Sequence, residues 1–177
     1  ACAQLLIDAN ADVEARDNNG TALIYASSNG DTACAQLLID AKADIETRDN
    51  NNSTALWWAC AKGHAACAQV LVAAKADVGA EDQEGKTALM IASVHDHTTC
   101  THVLIDAKAD VEAKDEDDNT ALSLTCAQGH SACTQLLIDA NANIEAKGQR
   151  DMTALSIASR FGHTACLQLL VDAKADL

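Results

Sequence analysis

The sequence predicts an all-α solenoid of stacked helix–turn–helix units. Three residue patterns carry this prediction, and each recurs at intervals of 33 residues over most of the chain. A fixed period between about 20 and 50 residues is typical of repeat arrays, in which each unit contacts only its neighbours. The patterns are Thr-Ala-Leu beginning at Thr21, Thr54, Thr87, Thr120 and Thr153; a cysteine at Cys34, Cys67, Cys100, Cys133 and Cys166; and Ala-Asp or Ala-Asn ending at Asp12, Asp44, Asp77, Asp110, Asn143 and Asp176.

Residues 17–48 illustrate how each unit folds. Thr21 follows the turn sequence DNNG and is placed to cap the first helix with its hydroxyl, and Gly30 ends that helix. The second helix carries apolar residues at i, i+3, i+4 and i+7 from Cys34, which is one face of a helix. Because one unit cannot bury this face alone, the units must stack on one another.

The units resemble ankyrin repeats. The matching segments are TALIYA/NGD/QLLID, TALWWA/KGH/QVLVA, TALMIA/HDH/HVLID, TALSLT/QGH/QLLID and TALSIA/FGH/QLLVD, so the resemblance covers essentially the whole chain. It implies a single domain over residues 1–177 with short β-hairpin loops between the helix pairs. The expected units are a partial repeat at 1–16 and repeats at 17–48, 49–81, 82–114, 115–147 and 148–177.

The repeats depart from the ankyrin pattern at several positions. Lysine or asparagine replaces the glycine that usually follows the second helix, and lysine tolerates the left-handed backbone less well than asparagine. Asp118 and Asp151 stand where the glycine of the hairpin tip is expected. Glutamate or glycine replaces the asparagine that hydroxylases modify in some ankyrin proteins, so that modification is not supported. These replacements are Asn10, Lys42, Lys75, Lys108, Asn141 and Lys174 after the second helices, and Glu14, Glu46, Gly79, Glu112 and Glu145 at the asparagine position.

The charge balance excludes some classes of partner. The chain of 177 residues has 26 acidic and 12 basic side chains, a net charge of −14. This balance argues against nucleic acid and anionic membranes, whose phosphates require lysine and arginine. It suits a protein partner with a basic surface, or it serves solubility alone. With no apolar run near the ~20 residues of a transmembrane helix and no signal peptide, we expect a soluble cytoplasmic protein without membrane insertion.

Two segments have cysteine and histidine at spacings that suggest a metal site. Cys60, His64 and Cys67 form the pattern C-x3-H-x2-C, which recurs from Cys126 to Cys133. Structural zinc takes four ligands, and each repeat offers only three. Serine replaces the first cysteine in the other repeats, which fits a small core position better than a ligand. We therefore predict buried thiols, no metal and no cofactor; Cys60–Cys67 or Cys126–Cys133 could meet within a repeat, but an intracellular protein would keep them reduced. The replacing serines are Ser27, Ser93 and Ser159.

A histidine recurs at the start of each second helix except in the repeat that carries Asp31. Catalytic groups are normally unique, so this repetition predicts no catalytic residue and no enzyme. The resemblance implies that each histidine hydrogen-bonds the neighbouring loop. The acidic run at residues 115–119 lacks the glycine and glutamate of a calcium-binding EF-hand loop and is expected at a hairpin tip. The histidines are His64, His97, His130 and His163.

Two adjacent tryptophans stand out in a chain that is only 2% aromatic. The position of Trp58 holds a large apolar residue in every repeat, which predicts a core residue. The position of Trp57 varies between polar and apolar, which predicts partial exposure; the resemblance places it beside the concave groove, as a binding hot spot or in local packing. The first position holds Tyr25, Ile91, Leu124 and Ile157 in the other repeats, and the second holds Ile24, Met90, Ser123 and Ser156.

The leading functional hypothesis is a non-catalytic protein–protein interaction module. The alternative is a structural spacer or assembly scaffold within a larger complex, which would use the ends and faces of the array. Neither end carries a polar capping repeat, so we expect further repeats or a capping partner there. The candidate contacts implied by the resemblance are Asn18, Asn19, Asn50, Asn51, Gln83, Glu84, Glu116, Asp117, Gln149 and Arg150 at the hairpin tips, and Trp57, Lys62, Met90, His95, Gln128, Arg160 and Phe161 along the groove.

Overall fold

The structure, a computed structural model, describes Ala9 and residues 11–17 and 20–174. Over these residues the chain forms ten α-helices in five consecutive pairs. The first helices of the pairs are α1 (Ala22–Asn29), α3 (Ala55–Ala61), α5 (Ala88–Val94), α7 (Ala121–Gln128) and α9 (Ala154–Phe161). The second helices are α2 (Thr32–Asp40), α4 (Ala65–Ala73), α6 (Thr98–Asp106), α8 (Ser131–Asp139) and α10 (Thr164–Asp172).

The helix pairs stack into two layers. Each first helix packs against its own second helix and against the first helices of the neighbouring pairs, and the second helices contact one another in the same order. The core between the layers is built by leucines such as Leu56 and Leu71, which are buried almost completely because the next pair covers them. The predicted all-α solenoid is confirmed.

The loops between pairs are hairpins with little regular strand. Strands β1 (Arg16–Asp17) and β2 (Gly20–Thr21) pair antiparallel, with Arg16 opposite Thr21. A single antiparallel bridge joins Glu81 to Thr87 in a later loop. The last loop forms a short 3-10 turn at Gln149–Asp151.

Threonine begins the first helices as expected, with one exception. The Thr54 hydroxyl accepts a hydrogen bond from the backbone N–H of Trp57 at 3.2 Å, and Thr87, Thr120 and Thr153 cap their helices in the same way. The predicted cap at Thr21 is wrong, because its side chain makes no capping bond. The loop before Thr21 is one residue shorter than the later loops, and Thr21 belongs to strand β2.

The replaced glycines do adopt the left-handed backbone. Gly30 ends α1 with φ 75°, as predicted. The residues after the second helices have φ between 63° and 73°, as at Asn141 and Lys75. Asp118 and Asp151, at the positions of the expected tip glycine, have φ 62° and 58°. A side chain other than glycine costs about 1–2 kcal/mol in this conformation, so the array carries some backbone strain at the lysines.

The repeated histidines join consecutive pairs. Nε2 of His64 lies 3.1 Å from the carbonyl oxygen of Ser28, at the end of the preceding first helix rather than in a loop. The His64 ring also covers Gly30, where an added Cβ would lie 2.6 Å from Nδ1. Asp31 instead accepts a hydrogen bond from the backbone N–H of Cys34. The corresponding distances are 3.2 Å from His97 to Ala61, 2.8 Å from His130 to Val94 and 3.1 Å from His163 to Ala127.

Two further kinds of hydrogen bond join the segment that follows one second helix to the segment that follows the next. We call them the base links. In the first, a glutamate carboxylate accepts the backbone N–H one repeat later, as from Asp44 to Glu14 at 2.8 Å. In the second, a basic side chain donates to a carbonyl one repeat later. The first kind recurs from Asp77 to Glu46 and from Asn143 to Glu112; the second joins Arg16 to Arg48, Arg48 to Glu81 and Lys114 to Lys147.

Both base links are missing at one junction of the described residues. Gly79 stands where the other repeats carry the glutamate, so it offers no carboxylate to Asp110. Glu81 stands where Arg48 and Lys114 supply the basic side chain. The segments at 77–81 and 110–114 are therefore joined less firmly than their counterparts.

Among the described residues, all cysteines except the half-buried Cys34 are buried in the core, as predicted. Cys67, Cys100, Cys133 and Cys166 are fully buried, and Cys34 is half-buried. Three of the laddered cysteines contact a threonine one repeat earlier: Cys67 with Thr32 at 3.3 Å, Cys133 with Thr101 at 3.6 Å and Cys166 with Thr134 at 3.5 Å. The cysteines named in the sequence analysis as possible neighbours do not pair within a repeat. All are free thiols, and Cys60 and Cys126 instead interact with Cys100 and Cys166 of the adjacent repeats.

Candidate partner-binding surface

Two open clefts lie side by side between the hairpin loops and the first helices, and Trp58 lines both. The first, which we call the Tyr25 cleft, has a volume of about 460 Å³. The second, the Asp82 cleft, has a volume of about 310 Å³. The Tyr25 cleft is lined by Ile24, Tyr25, Ser28, Asp49, Asn50, Asn51 and Trp58, and the Asp82 cleft by Asn51, Ser53, Trp57, Trp58, Asp82, Gln83, Glu84, Lys86 and Ile91.

On each side of the Tyr25 cleft, an aspartate of a hairpin loop holds an aromatic side chain in place. Oδ1 of Asp49 accepts the backbone N–H groups of Asn51 and Ser53, at 2.8 and 2.9 Å, and so shapes the hairpin. Its Oδ2 accepts the indole N–H of Trp58 at 2.8 Å. One repeat earlier, the hydroxyl of Tyr25 donates to Asp17 at 2.8 Å. These bonds hold both aromatic rings beside the loops.

The same loop position in the next repeat leaves a carboxylate oxygen without a donor. Oδ1 of Asp82 accepts the backbone N–H groups of Glu84 and Lys86, both at 2.9 Å. Ile91 occupies the helix position equivalent to Trp58 and has no N–H or O–H to donate. Oδ2 of Asp82 therefore accepts no hydrogen bond from the described residues, and it belongs to the lining of the Asp82 cleft.

The acidic run at residues 115–119 forms the hairpin expected there. Oδ1 of Asp115 accepts the backbone N–H groups of Asp117 and Asn119, at 3.0 and 2.8 Å. Its Oδ2 accepts the side-chain amide of Asn119 at 3.3 Å. Both oxygens thus serve the loop itself, in contrast to those of Asp82.

The two tryptophans do not divide into core and surface as expected. Their rings meet edge to face, with centroids 5.2 Å apart, and both are half-buried. Trp58, predicted as core, lines both clefts, and Tyr25 at the equivalent position is 39% exposed. Trp57 lines only the Asp82 cleft, and its indole nitrogen is buried without a partner among the described residues.

Met90 is not available to a partner. Its side chain is 1% exposed, because α5 packs between α3 and α7 and these helices cover its flank. Ile24 and Ser123, at the equivalent helix position, are also buried. The expectation that Met90 is a groove contact is therefore wrong.

The remaining groove candidates are exposed at the ends of the first helices. Lys62 places Nζ 5.5 Å from the centre of the Trp58 ring, a cation–π distance. Arg160 lies over the ring of Phe161, which is 55% exposed. Burial, together with the nearby His97, Lys62 and His130, lowers the pKa of His95. His95, Gln128, Arg160 and Phe161 are exposed, and none of them lines either cleft.

Four of the tip candidates line the clefts, and the tips are bonded to one another. The backbone N–H of Gln83 donates to the carbonyl oxygen of Asn51 at 3.0 Å, and that of Glu116 donates to Glu84 at 3.0 Å. The Gln83 side chain also donates to Asn50. The clefts therefore have a firm outer rim. Asn50, Asn51, Gln83 and Glu84 line the clefts; Glu116, Asp117, Gln149 and Arg150 are exposed on later loops; Asn18 and Asn19 lie outside the described residues.

The thiols have the environment of core groups. Burial raises the pKa of Cys126 to about 12 and that of Cys133 to about 11. The bond with Cys100 and burial also raise the pKa of Cys60. A thiolate is the reactive form, so these side chains are poor nucleophiles at neutral pH.

The described part of the chain has neither a cluster of metal-binding side chains nor a helix able to cross a membrane. No group of three or more histidine, cysteine, aspartate or glutamate side chains is arranged to hold a metal ion there. Within the same residues, no helix has the length and apolar character needed to cross a membrane.

Sequence reasoning missed the residues that shape the clefts. Tyr25, Asp49 and Asp82 were not among the candidate contacts, although the loop aspartates recur at 33-residue spacing from Asp49 through Asp82 to Asp115. That recurrence was the available signal. It could not show which of these carboxylates keeps an oxygen for a ligand.

Comparison with known proteins agrees with the repeat pattern. The model of the family described as ankyrin repeats (3 copies) matches residues 1–49, 43–115 and 89–177. A search of curated proteins finds no significant match to the chain.

Proposed function

This chain belongs to the ankyrin-repeat family, and from that premise we propose that it binds a partner protein across the Tyr25 cleft, the Asp82 cleft and the hairpin tips that border them. Ankyrin repeats are generally non-catalytic protein–protein interaction modules. The observation that supports this location is the half-buried Trp58 between two open clefts.

The chemistry of this surface suits a protein ligand. Tryptophan is enriched among the few residues that dominate binding energy, above all where neighbouring contacts exclude water. Around Trp58 the loops present the side chains of Asn50, Asn51 and Gln83, which can hydrogen-bond a partner backbone. The bonds between the tips keep these groups in place before binding, which lowers the entropy cost of association.

A structural spacer is the second candidate function. The histidine bonds repeat at every described junction from His64 to His163 and join the pairs in a regular way. Such regularity suits a strut within a larger complex. In that role the clefts would carry no contact of their own.

Affinity capture with matched variants separates the two candidates. The Trp58→Ala array is compared with the Leu124→Ala array, since Leu124 fills the same helix position two repeats later and lines neither cleft. A binding module loses its partners in the first variant and keeps them in the second. Equal capture by both arrays, with helicity retained by circular dichroism, would support the spacer instead.

A further inference from the structure

We propose that the Asp82 cleft receives a basic side chain of the partner, an arginine or a lysine, with its charged head on Oδ2 of Asp82. This inference rests on the proposed function, and it specifies the chemistry of the partner at that surface. The occupant is thus a segment of another protein that projects a cation between two hairpin loops. Four features of the cleft carry the argument.

The first feature is the carboxylate that lacks a donor. In the two preceding repeats an aromatic side chain donates to the loop aspartate, Tyr25 to Asp17 and Trp58 to Asp49. Ile91 ends this series, and Oδ2 of Asp82 is left to solvent or to a ligand. A guanidinium or ammonium group is the donor that a carboxylate binds most strongly, because the hydrogen bond is charge-assisted.

The second feature is an aromatic wall that already attracts a cation. Trp57 and Trp58 form one side of the cleft, and Nζ of Lys62 lies 5.5 Å from the centre of the Trp58 ring. A ligand stem can pack along the indole rings and Ile91 while its head remains near Asp82. This combination of apolar wall and single carboxylate matches arginine and lysine side chains.

The third feature is the electrostatic field at the cleft. Glu84 accepts a hydrogen bond from Lys86 at the rim, and this bond is the main reason that the pKa of Lys86 is raised. The charges of Asp82 and Asp115 raise it further. The cleft thus already stabilises positive charge, although Lys86 itself is held by Glu84.

The fourth feature is the size of the cleft and the charge of the chain. A volume of about 310 Å³ is enough for one long side chain, not for a folded element. The net charge of −14 draws a basic segment to the surface and speeds its association.

Selection from a library tests the inference. Displayed 12-residue peptides of random sequence are selected on the wild-type array, and the strongest binder is synthesised with each arginine or lysine in turn replaced by citrulline or glutamine. The expected peptides are enriched in arginine and lysine, and one of these neutral replacements weakens binding about tenfold. Binding is followed by tryptophan fluorescence, because Trp57 and Trp58 are the two tryptophans of the sequence and both line the cleft.

Asp82→Asn is the decisive variant. Its amide oxygen can still accept the N–H groups of Glu84 and Lys86, while an NH₂ group replaces the charged Oδ2. We expect the basic peptides to bind this variant about tenfold more weakly and to bind Asp139→Asn as well as the wild type, because Asp139 is an exposed carboxylate at the end of α8 that lines neither cleft. Retained affinity in Asp82→Asn would overturn the inference.

The outcomes also separate this inference from the proposed function. Peptides that require Trp58 but carry no basic residue would overturn the inference and leave the binding module in place. A selection with no peptide whose binding depends on Trp58 would overturn both.

Discussion

Trp58 donates its indole N–H to Oδ2 of Asp49 at 2.8 Å, so a hairpin loop holds the side chain that lines both clefts. The neighbouring Trp57 has the same indole group, buried without an acceptor among the described residues. Two adjacent tryptophans therefore differ in what their nitrogen atoms contribute to stability.

Replacing each tryptophan in turn by phenylalanine should reveal this difference in stability. Trp58→Phe removes a hydrogen bond. This loss is expected to lower the free energy of unfolding by about 1 kcal/mol, in addition to the loss that comes from burying a smaller ring. Trp57→Phe removes an unpaired buried N–H and is expected to cost less, or to stabilise. Urea unfolding followed by circular dichroism measures both, and equal losses would contradict the assignment.

A histidine ring covers some of the turn glycines but not all of them. Replacing a covered glycine by alanine should therefore destabilise the fold more than replacing an uncovered one. Gly63 and Gly162 have φ 75° and 73°, so the backbone penalty of a Cβ is the same at both. At Gly63 the added Cβ would lie 2.7 Å from Nδ1 of His97, whereas at Gly162 no described residue other than its chain neighbours comes within 4 Å. Gly63→Ala should therefore lower the midpoint of thermal unfolding more than Gly162→Ala. Equal losses at the two glycines would show that the His97 ring moves aside without cost.

A buried serine hydroxyl offers a stabilising substitution. Ser93 is fully buried and its Oγ has no partner among the described side chains and backbone groups. Cys60 and Cys126 fill the same position in other repeats. Ser93→Cys should raise the free energy of unfolding by about 1 kcal/mol, because a thiol is less costly to bury than an unpaired hydroxyl.

Ser159→Cys provides the control for that substitution. Ser159 occupies the same helix position but is exposed, so its replacement should leave stability within about 0.5 kcal/mol of the wild type. Chemical denaturation under reducing conditions compares the two variants. If Ser159→Cys stabilised as much as Ser93→Cys, burial of the hydroxyl would not be the cause.

Gly79→Glu should restore the first kind of base link, in which a glutamate accepts the backbone N–H of the next repeat. Gly79 has space for a side chain and no positive φ, and glutamate at this position would reach the backbone N–H of Asp110 as Glu46 reaches that of Asp77. The expected gain is about 1–2 kcal/mol, from the new hydrogen bond and from the lower entropy of the unfolded chain. Gly79→Ala supplies the entropy effect alone, and an equal gain in both variants would exclude the bond.

The fold followed from the sequence because the repeat period and the helix boundaries are local or periodic signals. The Thr-Ala-Leu starts and the turn at Gly30 specify where helices begin and end, and stacking follows from apolar faces that one unit cannot bury. Thr21 is the one helix start that differs, and it is also the one preceded by a shorter loop.

The degree of burial of the two tryptophans could not be predicted from the sequence in the same way. The position of Trp57 varies between polar and apolar residues, which normally indicates exposure. The polar Ser123 is nevertheless buried there, because its hydroxyl accepts the N–H of Thr120 and donates to the Thr120 carbonyl. Capping accounts for a polar residue at this position, and the covering helices are seen only in three dimensions.

The missing base links near Gly79 have a mechanical consequence. At that junction the loops stay tied at their tips, where the N–H of Glu116 bonds to Glu84, while the segments at 77–81 and 110–114 are not joined by either base link. Among the described junctions, we therefore expect this one to bend more readily about the bond between the tips. Glu84 also lies on the rim of the Asp82 cleft, so a partner held in that cleft would touch one side of this more flexible junction.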